Sequence, residues 1–136
     1  MQDRSDRVRN RSPDPRRRLG SRAESLCAAD IESRGWRIVE RNWRIRIGEI
    51  DIVAVDGADL VIIEVKARSA GTRGGPTQPV FAVGREKQRR LRMLAEAWLR
   101  GGTRRIRFDN VRFDVVGVTF DSAGNVASWQ HIENAF

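Results

Sequence analysis

The sequence predicts an α/β fold, with a single domain in which two helices pack on one mixed β-sheet. The 136 residues leave room for one domain with one core. Apolar residues recur at helical spacing in two segments and dominate five strand-like runs, in the order αβββαββ. Length and pattern together indicate one sheet covered by helices.

An arginine-rich tail precedes this domain. Residues 1–18 contain seven Arg, three Asp and two Pro but almost no apolar side chain, so they lack the apolar surface that would offset the entropy lost on ordering. We expect the tail to be disordered, and it is either a solvated extension or an electrostatic arm for phosphates. From Leu19 onwards, apolar residues at helical spacing predict a first helix over 20–34, ended by Gly35.

Three strands are predicted to follow the first helix. They span 36–43, 47–55 and 60–67, because these runs are rich in Ile and Val. The links between them are short, which predicts antiparallel neighbours. Residues 56–59 form a clear turn signal, whereas the link at 42–47 has no ideal hairpin dipeptide.

The second half of the sequence adds a helix and two strands. Residues 69–79 hold three Gly and two Pro and are predicted to form a loop. Apolar residues between 91 and 99 indicate a second helix that ends at Gly101-Gly102. The last two strands are predicted at 113–120 and 126–132, which completes the sheet.

Charge and composition narrow the class of function. The net charge of +8 and the pI near 11.3 favour a polyanionic partner. No apolar run approaches the roughly 20 residues that cross a bilayer, and no signal-peptide stretch follows the N-terminus, so we expect a cytoplasmic protein without a membrane partner. Cys27 and His131 are single residues of their types, which excludes an intramolecular disulfide and a thiolate zinc site. Any bound metal must be held by oxygen, and we assign His131 no role.

Charged residues stand inside the predicted third strand. Residues two apart in a strand share a face, so Glu64 and Lys66 end the row that begins with Leu60 and Ile62. Acidic residues within strands are disfavoured and costly to bury unless they are paired or bind a cation. This position therefore indicates a site.

Asp51 interrupts the second strand in a similar way. It is predicted to share a face with Val53, while Ile50 and Ile52 share the opposite face. If the second and third strands form a hairpin, Asp51 lies near Glu64, where like charges repel unless a cation lies between them. Hard carboxylate oxygens favour Mg²⁺ or Mn²⁺ as that cation.

Lysine usage adds weight to this prediction. The chain has 24 Arg and two Lys, and one of the two is Lys66. An ammonium group is compact and its pKa shifts readily, so lysine can orient or deprotonate an attacking water. Glu-x-Lys alone is also typical of a solvent-facing strand. The combination with Asp51, with Glu24 on the first helix and with Lys87 on the second favours a functional site.

These residues carry a resemblance to known families. Asp51, a spacer of twelve residues and then Glu64-Val65-Lys66 resemble the PD-(D/E)xK nuclease motif, with Ile50 in place of the proline. More closely, five segments resemble the YraN-like family of small bacterial proteins, which is similar to archaeal Holliday junction resolvases. The segments are AESLCAADIESRGWRIVERNWR, GEIDIVAVD, LVIIEVKAR, RFDVVGV and HIENAF. The resemblance implies a restriction-endonuclease-like αβββαβ core, a mixed sheet flanked by helices, over residues 19–136.

The resemblance also implies a function. It is a metal-dependent endonuclease that hydrolyses DNA phosphodiester bonds at branched or junction structures, often as a homodimer. Asp51 and Glu64 would bind Mg²⁺ or Mn²⁺, Lys66 would orient water or stabilise charge, and Glu24 would complete the acidic cluster. From the residues alone, the alternative is that Glu24 is a surface charge near the start of a helix.

Other charged residues have open roles. Arg68, with the glycine-rich loop after it, is expected to bind a nucleic-acid phosphate, and so is Lys87; a surface loop and a solvated helix are the alternatives. Glu49 is either a metal ligand or a partner of Arg44 or Arg46. The alternative function is a non-catalytic nucleic-acid-binding or scaffolding protein that retains the nuclease fold.

Overall fold

The computed structural model describes residues 14–71, 82–101 and 106–136. In these ranges the chain forms two helices and five strands in the predicted order. They are α1 (Pro15–Ser33), β1 (Arg37–Ile45), β2 (Gly48–Asp56), β3 (Asp59–Ser69), α2 (Arg85–Arg100), β4 (Asn110–Phe120) and β5 (Val126–Ile132). The predicted fold class, a single α/β domain with a mixed sheet and flanking helices, is confirmed. No helix in the described ranges is long and apolar enough to cross a membrane.

The five strands form one sheet in the order β1-β2-β3-β4-β5. The pairs β1/β2 and β2/β3 are antiparallel, as the short links predict, and β4/β5 is antiparallel as well. β3 and β4 are parallel, and a parallel pair requires a crossover, which contains α2. Most of the predicted loop at 69–79, and Gly102 after α2, lie outside the described residues.

Helix α1 begins earlier than the sequence pattern predicts. Asp14 caps it by accepting a hydrogen bond from the backbone N of Arg16 at 3.0 Å, and Pro15 stands at its first position. Proline suits that position because its missing N–H would have no partner there. Residues 15–18 are therefore helical, and the prediction that they belong to a disordered tail is wrong; residues 1–13 lie outside the described range. Gly35, with φ of +87°, ends the helix as predicted.

Two hydrophobic cores lie on opposite faces of the sheet, one under each helix. Full burial of one aliphatic side chain contributes about 1.5–3 kcal/mol, so these cores hold the helices to the sheet. The α1 face includes Ala23, Cys27, Ile31, Ile52, Ala54, Val61, Ile63, Val116, Val118 and Phe120. The α2 face includes Ile50, Val53, Leu60, Ile62, Leu91, Leu94, Trp98, Phe113 and Val115.

Strand β2 departs from regular alternation at Asp51. Ile50 packs on the α2 face and Ile52 on the α1 face, so the prediction that they share a face is wrong. The β2/β3 ladder runs only as far as Ile52 and Ile63. Beyond that pair the Asp51 side chain contacts β3, because its Oδ2 accepts a hydrogen bond from the backbone N of Val65 at 2.9 Å. The two strands separate at this point.

Candidate active site

A cavity of about 580 Å³ lies where β2 and β3 separate, between α1, the start of β2 and the first turn of α2. We call it the acidic cavity, because four carboxylate side chains line it together with both lysines of the chain. The charged residues are Glu24, Glu49, Asp51, Glu64, Lys66, Lys87, Arg17 and Arg44, and the others are Gly20, Ser21, Asn42 and Val65. The structure thus brings together Glu24, Asp51, Glu64, Lys66 and Lys87, as the sequence predicts.

Glu64 is the most buried of these carboxylates, with 5% of its surface exposed. Its Oε1 lies 3.3 Å from Nζ of Lys66 and 3.5 Å from Nζ of Lys87. Its Oε2 is buried and has no hydrogen-bond partner in the part of the chain that the structure describes. A buried carboxylate oxygen without a partner is costly. This oxygen is therefore suited to a cation.

Asp51 lies beside Glu64, as predicted from the hairpin. Burial, together with the negative charge of Glu64, raises the pKa of Asp51 to about 7, against the opposing effect of the hydrogen bond from Val65. The neighbouring charges of Glu24 and Glu49 act in the same direction as Glu64. Two carboxylates repel here in a site of low dielectric, and a bound divalent cation would remove that repulsion.

Glu24 is presented by α1, and it faces the sheet. It is buried, and its Oε1 accepts a hydrogen bond from Nε of Arg41 at 3.4 Å. Burial raises the pKa of Glu24, while Arg41 acts in the opposite direction. The alternative that Glu24 is merely a surface charge is therefore wrong. Its role as a third carboxylate stays a prediction.

The remaining predicted residues differ in their placement. Glu49 accepts a hydrogen bond from Nη2 of Arg44 at 2.7 Å, which confirms the pairing that the sequence left open; metal binding by Glu49 stays a prediction. Lys87 lies in the first turn of α2 and reaches Glu64. Arg68 is half-buried on β3, and it is not among the described residues that line the acidic cavity. A phosphate contact by Arg68 stays a prediction.

Four lining residues were not anticipated from the sequence, namely Arg17, Gly20, Ser21 and Asn42. The signal for Arg17 was present, because Asp14-Pro15 is a capping pair that starts a helix ahead of it. Asn42 adopts a positive φ of 51°, a conformation that Asn tolerates better than most residues. No pattern in the sequence marks that position.

The donor set fits a hard divalent cation. In the described ranges no group of three or more His, Cys, Asp or Glu side chains is arranged to hold a metal ion. Mg²⁺, however, commonly takes one or two carboxylates and fills its remaining positions with water and phosphate oxygens. Asp51 and the unpartnered Oε2 of Glu64 meet that requirement. The fit rests on two carboxylates.

Comparison with known proteins identifies the family. The model of the uncharacterised protein family UPF0102 matches residues 23–118. A UPF0102 protein of Arthrobacter sp. (strain FB24) is 51% identical over 106 residues, which cover 78% of this chain and 86% of the relative. A UPF0102 protein of Moorella thermoacetica is 44% identical over 121 residues, 89% of this chain and 97% of the relative. The chain therefore belongs to the UPF0102 family, the YraN-like family that its motifs resemble, within the PD-(D/E)xK nuclease-like superfamily.

Proposed function

We propose that this protein is a metal-dependent endonuclease that hydrolyses phosphodiester bonds of DNA, with branched or junction DNA as its preferred substrate. The observation that carries the proposal is the pair formed by the half-buried Asp51 and the buried Glu64, which keeps an oxygen without a partner in the described ranges, next to Lys66. Repelling carboxylates beside an ammonium group are poorly explained by stability alone. Membership of a nuclease-like family supports the same reaction class.

Each charged residue has a role in this proposal. Asp51 and Glu64 hold Mg²⁺ or Mn²⁺, which when bound polarises the phosphate and lowers the pKa of water. Lys66 orients the attacking water or stabilises the developing charge, since an ammonium group can donate three hydrogen bonds. Glu24 completes the acidic cluster from the side of α1, and Lys87 contacts a substrate phosphate. Arg68 contacts a phosphate farther along β3.

A second function is favoured by one observation. The carboxylate of Glu24 already has Arg41 as a partner, and Oε1 of Glu64 has two ammonium groups. The cavity is thus largely neutralised by the protein's own cations. A nucleic-acid-binding or scaffolding protein that retains the fold without cutting DNA would need only these ion pairs and no metal.

The test is a cleavage assay on single-stranded, duplex, flapped and four-way DNA, with Mg²⁺, Mn²⁺ or EDTA. We expect metal-dependent cutting by the wild type and a loss of about 100-fold or more in Glu64→Gln and in Lys66→Gln. Glu96→Gln is the matched control, because Glu96 is an exposed carboxylate on α2 paired with Arg100. Its activity should equal that of the wild type.

Binding of Mn²⁺, measured by calorimetry, separates the two functions. The nuclease requires an affinity for Mn²⁺ that Glu64→Gln reduces and Glu96→Gln leaves intact. If all three proteins bind DNA, none cuts it and none differs in Mn²⁺ affinity, the non-catalytic function replaces the nuclease. Cutting that survives in Glu64→Gln would point to a contaminating enzyme.

A further inference from the structure

A second cavity, of about 520 Å³, adjoins the acidic cavity along the outer face of α1. Its lining consists of Arg17, Arg18, Ser21, Arg22 and Ser25. We call it the α1 groove. Three arginine and two serine residues line it, and the described lining includes no acidic and no aromatic residue. Arg17 and Ser21 also line the acidic cavity, so the two cavities are continuous.

Helical geometry explains why these residues form one surface. Positions 17, 18, 21, 22 and 25 recur at spacings of three and four, which places them on one side of a helix. The opposite side of the same turns is buried against the sheet, through residues such as Ala23 and Cys27. Residues one turn apart, such as Arg18 and Arg22, are about 6 Å apart along the axis. The groove thus presents cations in a row.

Contacts with neighbouring elements brace the groove. Arg22 donates a hydrogen bond to the backbone carbonyl of Gly124 and lies over the ring of Phe120, 5.0 Å from its centroid. At the other end, Ser25 Oγ accepts a hydrogen bond from Nη2 of Arg41 at 3.3 Å. Such contacts reduce the side-chain entropy that a ligand would otherwise have to remove. The groove is therefore partly preorganised.

We propose that the α1 groove holds the phosphate backbone of the DNA strand that enters the acidic cavity. The proposal rests on the proposed function in one respect, namely that DNA is the molecule handled there. Arginine and serine side chains are common donors to phosphate oxygens. Four cationic side chains offset the four carboxylates of the acidic cavity, so without a bound metal it offers a phosphate backbone little net attraction, which the adjoining groove supplies. Because no ring in the described lining can stack on a base, binding is independent of sequence.

The lining favours DNA over the other polyanion that composition allows, an anionic membrane surface. Helices that bind membranes insert an apolar face between the lipids. The large apolar residues of α1 are already buried against the sheet, and the described residues that line the groove are arginine and serine. The groove is also concave, which suits one strand better than a flat surface. The occupant is therefore a nucleic-acid backbone.

The test measures binding of fluorescent single-stranded and duplex DNA in EDTA, so that no strand is cut, over a range of salt concentrations. Arg18→Gln and Arg18→Gln/Arg22→Gln are the variants. For each phosphate contact removed, the slope of log K against log salt should fall by about 0.9 on duplex and about 0.7 on single-stranded DNA. Arg107→Gln is the control. Arg107 is exposed, lies before β4 and is not among the residues that line the groove, and its substitution changes the net charge by the same amount.

Three outcomes decide the matter. A smaller slope for Arg18→Gln with an unchanged slope for Arg107→Gln supports the groove. Equal losses for the two variants mean that net charge alone is responsible and overturn it. If Arg18→Gln loses binding to vesicles of phosphatidylserine and phosphatidylcholine while its DNA binding is unchanged, the proposal is overturned in favour of a membrane.

Failure of the groove and failure of the nuclease are distinguishable. If the wild type cuts no DNA but Arg18→Gln still reduces the salt slope, the groove stands without the enzyme. If Glu64→Gln stops cutting and Arg18→Gln changes neither slope nor affinity, the enzyme stands without the groove. Arg18 is exposed, so the single variant decides the question even if the double variant, which also loses the Gly124 contact, is destabilised.

Discussion

Glu64 and Asp114 are buried carboxylates on neighbouring strands, in opposite situations. Glu64 pairs in register with Val115, one residue from Asp114, but the two acids lie on opposite faces of the sheet. Asp114 is fully buried, and each of its oxygens has two hydrogen-bond donors. Glu64 has one oxygen shared by two lysines and one with no partner in the described ranges. Both carboxylates are buried, but only Asp114 has hydrogen-bond donors for both of its oxygens within the described ranges.

The donors around Asp114 come from three parts of the chain. Arg112 donates through Nε and Nη2 at 2.9 and 3.1 Å, Nε2 of His131 lies 2.8 Å away, and the backbone N of Asn134 donates at 2.9 Å. Nδ1 of His131 lies 2.6 Å from the guanidinium of Arg34, which can only donate. The ring proton is therefore on Nε2, directed at Asp114. A carboxylate whose oxygens all have donors links separate parts of the chain, whereas one that keeps an oxygen without a donor can bind a ligand.

The largest expected effect is on stability, from Arg112→Ala. This change leaves the charge of Asp114 buried without its main partner and also removes the contacts of Arg112 with Asp56 and Asp59, at 3.3 and 3.0 Å. Breaking a buried pair by removing one partner costs about 3–5 kcal/mol. We expect a loss of that size in the free energy of unfolding, measured with urea.

Arg107→Ala is the control for that measurement, because Arg107 is exposed and close in sequence. Its effect should stay within about 0.5 kcal/mol. A loss below about 1 kcal/mol for Arg112→Ala would mean that the hydrogen bonds around Asp114 add little stability. The number of donors would then no longer explain the contrast between the two carboxylates.

A smaller effect is expected from pH. Burial acts to raise the pKa of Asp114, but hydrogen bonds from His131, Arg112 and the backbone of Asn134 outweigh it and hold the pKa below its usual value. The stability that this provides is present above the unfolded-state pKa of about 3.9 and is lost as the pH falls through the folded-state pKa. We expect the wild type to exceed Asp114→Asn by about 2–3 kcal/mol at pH 7.

Urea unfolding of both proteins from pH 7 to pH 3 tests the sign of this effect. The difference between wild type and Asp114→Asn should shrink only below the unfolded-state pKa. A difference that grows as the pH falls would mean that folding raises the pKa of Asp114, and that the surrounding donors do not stabilise its charged form.

The acidic cavity and the Asp114 network also differ in how much of each the sequence predicted. The acidic cavity was predicted in its main residues, because Glu64 and Lys66 break an apolar row at a spacing of two, and that signal is local. The turn at residues 56–59 then sufficed to place Asp51 beside them. The Asp114 network was not predicted, and His131 was assigned no role. Its members are far apart in sequence and meet only after β4 and β5 pair.

Two local errors have physical causes. The alternation of Ile50 and Ile52 fails because β2 leaves β3 at Asp51, and a strand that has lost a neighbour is free to depart from the regular pleat. The start of α1 was placed too late because apolar periodicity begins at Leu19, whereas a capping Asp and a proline at the first position had already fixed the helix start. Periodicity locates buried faces better than it locates ends.

Asp51→Asn should shift stability in the opposite direction from Arg112→Ala. It removes one of two repelling carboxylates, and the amide oxygen of Asn can still accept the hydrogen bond from Val65. We expect the metal-free protein to gain about 1–2 kcal/mol, as is common where a site is strained for function. Mn²⁺ affinity, measured by calorimetry, should be lost in the same variant.

The outcome that contradicts this prediction is a loss of stability with Mn²⁺ affinity unchanged. Asp51 would then resemble Asp114, as a carboxylate that the fold needs in its charged form. Stability and metal affinity must be measured on one preparation in EDTA and after addition of Mn²⁺, because bound metal stabilises the folded state by mass action.

The smallest effect is expected for Glu24→Gln, because Glu24 is intermediate between the two regions. It is buried like Asp114, but it has one guanidinium partner at 3.4 Å, and burial raises its pKa as it does that of Asp51. Loss of its charge should change stability by less than about 1 kcal/mol. If Glu24 supports the metal site indirectly, Mn²⁺ affinity should fall by about 10-fold.

The matched control is Glu32→Gln, which removes the same charge from an exposed position on α1. Equal Mn²⁺ affinities for the two variants would place Glu24 with the structural carboxylates, and a fall confined to Glu24→Gln would place it with the acidic cavity.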